Sequence, residues 1–584
     1  MSDPSLEAAL DAALGDSARR DAELDATEEF PAELCARLDD FGLPTYYVPT
    51  EWGGALDDHE RLFRLWRTVA RRDLSALVAH AKTYLGAASV WVAGSPELAK
   101  ATAQAVLSGV PVAWALSEPD HGADLLGGAV TATATDRGWR LDGRKWPINN
   151  ATRAGLLTVL ARTGEAGSAR GHSLFLVDKS APAAGTWRAL PKARTHGIRG
   201  VDISGIEFDG AVLPSTALIG EQGKGFETVL RALQLTRTMC AALSVGAGEH
   251  ALRLGARFAA TREIQHKPLL DRAYPASIVA RCAGLLGAAE AAALVAARSV
   301  HSLTRELSVS SAVVKALAPT LVDAVIEELA ELLGARSYLT EVYEHGAFQK
   351  LERDHEIVAI FDGSTPVNRG SLVQQFPRLA RGLDAGSVDV GGLAEAVAVG
   401  SPLRPLDRSA LTLLSRNGCS LVQSLPALAE ELAGRQSHAG LAEQAGELRA
   451  AAERIGGLMA RTGPSARPPM AAHELAAAYE LCYAGAACLQ LWAAQEARHR
   501  GEPLWQDGLW VRAALRALLA RIASLLRTPP PAAEGDDRID GPLARAIAAA
   551  AATGAPVTPF GAPAPAPSQP SHRPEEQREE HRAR

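Results

Sequence analysis

Few side chains in this 584-residue sequence stand where they could do chemistry. His121, His196, His266 and His355 lack metal-ligand spacing and read as loop or surface histidines. Cys35, Cys240, Cys282, Cys419, Cys482 and Cys488 are scattered and read as buried free thiols of a reducing compartment. The acidic stretch 20–29 reads as a solvated face. The most pointed residue is Asp362, which follows RDHEIVAIF and precedes Gly363. A carboxylate is a residue type capable of general acid–base work. Standing alone, it would more simply cap a loop or pair with Arg369.

The elements that must position these groups fall into blocks. Residues 1–111 carry helical periodicity broken by the turn-rich TYYVPTEWGGALDD. Residues 112–222 change to short alternating segments such as AVTATATD, HSLFLVD and VDISGIEFD, a β domain of hairpins. Residues 223–385 are helical again, with long Ala/Leu runs. The order predicts an α+β chain, mainly α, with segregated elements. No strand runs through a Gly-rich turn into a helix, so a Rossmann cofactor fold is not expected. Residues 400–527 predict a further helical domain, and 528–584, Pro/Ala-rich and then highly charged, a disordered tail.

Composition narrows the function classes. An apolar fraction of 47% and a charged fraction of 22% are ordinary for a globular enzyme. A net charge of −7 argues against nucleic acid as a partner, since no basic excess exists to displace counterions. The acidic N-terminus lacks a signal pattern, no apolar run reaching about 18 residues is apparent, and a cytoplasmic protein is the expectation.

Six segments, in order, resemble those of the acyl-CoA dehydrogenase superfamily. They are VPTEWGGAL (48–56), ALSEPDHGADL (115–125), LDGRKWPINNA (141–151), GIRGVDISGIEFDGAVLP (197–214), GEQGKGFETVLRALQLTRTMCAA (220–242) and LERDHEIVAIFDGSTPVNR (351–369). The resemblance implies an N-terminal helical domain, a central β-barrel and a C-terminal four-helix bundle, with FAD between barrel and bundle. It also makes Gly220, Gly223 and Gly225 a barrel-to-bundle turn rather than a phosphate loop.

The family's reaction removes hydrogen across Cα–Cβ of a thioester. It needs a carboxylate at the α-carbon, donors for the developing enolate oxygen and an electron sink facing the β-carbon. By resemblance the base is Asp362, where most members have Glu, and Arg237 faces the site. Thr236 stands where other members carry their Glu on the bundle helix, so no second base is implied. Leu116, Ser117, Glu118, Gly122 and Ala123 would wrap the flavin, with Ala123 in place of a Ser. Ile148 and Asn149 would pass its ring, Asn149 replacing a Thr or Ser and Pro147 a Trp. Arg262, Glu331 and Gly334 would reach the partner subunit's FAD, with Glu331 replacing a Gln, and Ser364 retains a hydroxyl beside the base.

Taken together, the resemblance implies an FAD-dependent α,β-dehydrogenase of an acyl-CoA or acyl-carrier-protein substrate, a homodimer or tetramer passing electrons to an electron-transferring flavoprotein. A flavin oxidase or oxygenase resembling nitroalkane oxidase, and a silent scaffold subunit of an active paralogue, stay open because of the substitutions at cofactor positions. The extra C-terminal region resembles the appended domain of the very-long-chain branch. Its Leu515, Leu518, Leu519, Ile522, Leu525 and Leu526 stripe could lie on a membrane surface, although a core-facing bundle helix is the commoner outcome.

Overall fold

The computed structural model describes residues 4–15, 18–181, 187–435, 439–465, 467–529 and 536–563. The N-terminal region is helical and includes α1 (Pro4–Leu14), α2 (His59–Arg72) and α3 (Leu74–Ala93). Helix α2 starts where the Asp58 carboxylate accepts from the Glu60 and Arg61 N–H groups, and α3 where Asp73 accepts from Ala76. The α3 sequence is apolar on most of its faces, and it packs between a strand and the first bundle helix.

Eight strands follow: β1 (Val112–Ala115), β2 (Thr131–Thr135), β3 (Gly138–Asn149), β4 (Leu156–Arg162), β5 (His172–Asp178), β6 (Trp187–Leu190), β7 (Ile203–Leu213) and β8 (Leu218–Ile219). They pair in the order β6-β7-β3-β2-β4-β5-β8, with β1 parallel to β4 in the register Val112↔Leu156. The apolar run LLTVLA of β4 is buried throughout because β1 and β5 flank it. The path has two ends, β6 and β8, and β2 meets β4 at a single pair, Thr131↔Arg162. Where a closed barrel was expected, the hydrogen-bonded sheet is therefore open among the described residues.

The bundle is built on α4 (Gly225–Thr261), α5 (Ala273–Ser302) and α6 (Leu307–Leu333), with the shorter α7 (Ala347–His355) and α8 (Thr365–Val373) beside them. Gly225 opens α4 where a Cβ would lie 2.5 Å from the Ser173 main chain, so only glycine lets the helix start against β5. One expectation is corrected here. Helical stretches at Ala273–Ser302 and Thr304–Leu333 are long and apolar enough to cross a membrane. Their apolar 18-residue windows are 94% and 83% buried inside the fold, respectively, so that apolar surface faces protein.

Beyond the bundle lie α9 (Ala439–Arg461), α10 (Met470–Gln495), α11 (Leu509–Leu526) and α12 (Asp537–Thr553). In α11, Leu515, Leu518, Leu519 and Ile522 are buried, and the helix packs on α5 and α10. The core-facing alternative holds. Helix α12 corrects the expected disordered tail. Ile539, Leu543 and Ile547 recur every four residues and are buried. The chain after α12 then returns to α2. Arg67 donates to Thr558 Oγ1 at 2.6 Å and to Glu249 at 2.9 Å, and Arg64 donates to the Phe560 carbonyl at 2.9 Å. Average composition hid this stripe and these anchors, and residues 564–584 lie outside the described part.

The acidic stretch and one histidine also depart from expectation. Asp21 and Asp25 are buried, and Asp25 pairs with Arg353 at 2.5 Å. His355 is wholly buried, bridging Asp323 at 2.7 Å and Ser244 at 3.0 Å. No group of three or more His, Cys, Asp or Glu side chains is placed to hold a metal among the described residues, and all six cysteines are free.

Candidate active site

The loop carrying Asp362 is an unusual piece of backbone. A short 3-10 turn, Glu356–Ala359, leads to Asp362 at φ 53° and Gly363 at φ 92°, and Ser364 opens α8. Two successive left-handed residues are costly for anything but glycine, and Asp is among the few side chains that tolerate the conformation. A Cβ at position 363 would lie 2.7 Å from the Arg237 guanidinium, so Gly363 is needed twice over.

Three side chains hold the carbonyls of this loop. Arg237 Nε donates to Asp362 O at 2.9 Å. Lys315 Nζ donates to Val358 O at 2.6 Å and Gly363 O at 3.3 Å. Asn368 Nδ2 donates to Gly363 O at 2.7 Å and Ser364 O at 3.1 Å. Arg369 pairs with Glu480 of α10 at 3.1 Å, so it is not the partner of Asp362. The Asp362 side chain turns inward instead, with Oδ2 3.9 Å from Cys240 Sγ on α4.

Electrostatics follow from burial. Arg237 is buried, not the solvated helix arginine its position allowed, and burial pulls its guanidinium down to about 10 against the attraction of Asp362 and Cys240. Burial also pulls Lys315 down to about 8, against Cys240 and Asp362 and helped by the charge of Arg237. Burial and the Asp362 charge together push the Cys240 thiol up, so it stays protonated.

On the sheet side, Glu118 is engaged from within. Its carboxylate accepts from the Ala129 and Val130 N–H groups at 2.6 and 3.1 Å and from Lys145 Nζ at 2.7 Å. Lys145 also donates to Leu116 O, and the Ser117 carbonyl accepts from Trp146 N. Burial raises the Glu118 carboxyl, but Lys145 and the two amides outweigh it and leave the group below its usual range. Glu118 thus ties both ends of the 116–130 loop together, and that loop lifts Gly122 and Ala123 into an exposed arch.

Ile148 is buried in the core of the sheet. Asn149 ends β3 with Nδ2 donating to Val78 O of α3 at 2.9 Å, while its Oδ1 is buried without a partner. Arg262, Glu331 and Gly334 lie exposed at the far ends of α4 and α6, away from the Asp362 loop in sequence and outside its hydrogen bonds. Ser364 is half-buried, two residues after Asp362. Sequence patterns gave no sign of Lys315, Asn368, Cys240 or Lys145 as parts of the site.

These residues fit a flavin on two counts. The orphaned Asn149 Oδ1 is an acceptor suited to a ring N–H, and the exposed arch at Gly122 offers main chain that no side chain covers, since a Cβ there would meet nothing within 4 Å. Ser117, Gly122 and Asn149 would line one side of such a group, with Ser364 next to the carboxylate.

Comparison with known proteins covers the same ground. Sequence models of the acyl-CoA dehydrogenase N-terminal, middle and C-terminal domains match residues 7–110, 113–211 and 223–376. The probable acyl-CoA dehydrogenase FadE25 of Mycobacterium tuberculosis is 29% identical over 349 residues, 60% of this chain and 88% of that one. The mitochondrial short-chain specific acyl-CoA dehydrogenase of Homo sapiens is 28% identical over 365 residues, 61% and 86% of the two chains. Among solved structures, butyryl-CoA dehydrogenase from Megasphaera elsdenii superposes with a TM-score of 0.58 at 22% identity, covering 63% of this chain and 97% of that one. An acyl-CoA dehydrogenase complexed with FAD from Bacillus anthracis reaches a TM-score of 0.66 at 18% identity over 92% and 89% of the two chains. At such identities the likeness is one of fold. The last match is long enough to take in the helices beyond the bundle.

Proposed function

The chain belongs to the acyl-CoA dehydrogenase family, an oxidoreductase flavoenzyme family acting on CH–CH groups, and from that membership we propose that it desaturates an acyl thioester at Cα–Cβ with Asp362 as the proton acceptor. The carrying observation is the direction of the Asp362 side chain. Its main-chain carbonyl is taken by Arg237, its neighbour's carbonyl by Lys315 and Asn368, and its carboxylate faces the Cys240 thiol on α4. The thiol is only a weak donor, at 3.9 Å from Oδ2, so the carboxylate keeps basic lone pairs for a substrate proton.

The roles divide between the sheet and the bundle. Asp362 receives the α-proton. Arg237 and Lys315 keep positive charge near the carboxylate through the proton transfer. Ser117, Gly122 and Asn149 hold the isoalloxazine and its chain, and a bound FAD supplies the two-electron acceptor for the β-hydrogen. Arg262, Glu331 and Gly334, exposed at the ends of the bundle, complete a cofactor site shared with a second subunit of a homodimer or tetramer, and an electron-transferring flavoprotein takes the electrons onward. The substrate is an acyl-CoA or an acyl carrier protein carrying the same thioester.

An anaerobic titration tests this reading. Protein loaded with FAD and mixed with butyryl-, octanoyl- or palmitoyl-CoA should lose flavin absorbance with at least one of them. Asp362→Asn should bind the same thioester and fail to bleach. Unimpaired bleaching by Asp362→Asn would refute the base assignment, and stoichiometric peroxide release on turnover in air would move the reading to an oxidase.

A further inference from the structure

We infer that Lys315 is a positioning residue for the proton-accepting loop, a buried cationic staple that sets the direction of the Asp362 side chain. Lys315 sits on α6, wholly buried, far from Asp362 in sequence. Its ammonium reaches the loop at two points. One is Val358 O, 2.6 Å away and before Asp362, and the other is Gly363 O, 3.3 Å away and after it. The loop between these points includes the two left-handed residues and Phe361, whose ring centroid lies 5.3 Å from the ammonium. A single donor group therefore pins both ends of the strained turn and stacks against its middle.

Geometry explains why a cation is used there. A left-handed Asp is strained, so the turn persists only if its surroundings over-determine it. Carbonyls pointing into an apolar bundle core need donors. Hydrogen bonds from a charged donor are stronger than neutral ones, and a lysine stem can cross the core to deliver one. Arg237 and Asn368 hold the Asp362, Gly363 and Ser364 carbonyls from the other side. Val358 O has Lys315 as its side-chain donor, so removal of Lys315 frees the front of the turn while the back stays tied.

The catalytic part of this inference rests on Asp362 being the base; the structural part does not, and the experiment separates them. Lys315→Met keeps length and apolarity and removes the donors, and Lys315→Arg keeps donors and charge. Hydrogen exchange is measured on the purified proteins without substrate, and steady-state turnover with the acyl-CoA that bleaches the wild type. Lys315→Met should speed exchange of the 358–364 amides by about 10- to 100-fold, the loss of charged hydrogen bonds. It should lower kcat by about 10²-fold, as a misplacement of about 1 Å does, while KM stays within about threefold. Lys315→Arg should recover most of both. Unchanged exchange in Lys315→Met would overturn the staple. Faster exchange with unchanged kcat would overturn the positioning role. If Asp362→Asn turns over normally while Lys315→Met still loosens the turn, the base assignment falls and the staple stands. Should Lys315→Met not fold, Lys315→Arg decides alone: exchange as in the wild type with kcat within about threefold supports the staple, and loosening of the turn overturns it.

Discussion

The sheet side and the bundle side of the candidate site use buried charge in opposite ways. On the sheet side Glu118 and Lys145 neutralise one another at 2.7 Å, and two main-chain amides also donate to the carboxylate. The three donors engage both carboxylate oxygens, and the pair becomes a strut under the 116–130 arch. On the bundle side the cations Arg237 and Lys315 reach past the carboxylate to main-chain carbonyls. The Asp362 carboxylate stays close to positive charge without being consumed by it. Chemistry is expected where charges fail to pair fully, and scaffolding where they do.

Breaking the strut should give the largest effect. Glu118→Ala leaves Lys145 buried and unpaired, and removing one partner of a buried pair costs about 3–5 kcal/mol. Thermal melting and flavin content should both fall, while Glu118→Gln, which keeps one acceptor oxygen and the side chain's volume, should fall less. If Glu118→Ala melts like the wild type and keeps its flavin, the pair on the sheet side is not a strut.

Lengthening the base should come next. Asp362→Glu keeps the carboxylate but adds a methylene at φ 53° in a turn stapled from both sides. A carboxylate displaced by about 1 Å predicts a loss of about 10²-fold in kcat, some 2.7 kcal/mol, with little change in KM. Equal or faster turnover would mean that the loop adapts to its side chain rather than dictating where it points.

Much of this was legible in the sequence, and the remainder was hidden for identifiable reasons. Periodicity separated helix, sheet and bundle, and the six segments gave the order of the N-terminal, middle and C-terminal family domains. Partners were a different matter. Lys315 meets Val358 through a main-chain carbonyl 43 residues away, and Lys145 meets Glu118 across 27 residues. A carbonyl acceptor has no residue type, so no motif can encode it. His355 looked like a loop histidine because Ser244 and Asp323 lie on other helices. The α12 helix was lost in a Pro/Ala-rich average, although its four-residue apolar stripe was present, and α5 and α6 are apolar enough to pass for membrane spans. Closure of the sheet depends on strand ends that alternation does not report.

A third buried carboxylate lies between the two extremes and gives the smallest, most discriminating test. Glu480 on α10 is held by one guanidinium, that of Arg369 on α8, at 3.1 Å, and among the described residues no main-chain amide joins it as at Glu118. Burial accordingly wins over Arg369, and the carboxyl is pushed up to about 7. In an unfolded chain its ordinary value is about 4.3. A raised carboxyl favours folding most fully below the unfolded value, and that contribution is lost as pH rises through the folded one. Between pH 5.5 and 7.5 the loss is about 2 kcal/mol by linkage, near 1.5 °C in Tm if a chain of this size unfolds as one unit. Glu480→Gln cannot titrate, so its Tm should match the wild type near pH 5 and exceed it near pH 8, although an ion pair has been deleted. Calorimetric curves that stay parallel across that range, or a glutamine variant less stable at pH 8, would show that one guanidinium suffices where Glu118 has three donors. The contrast between the two sides would then rest on geometry alone and not on the number of donors.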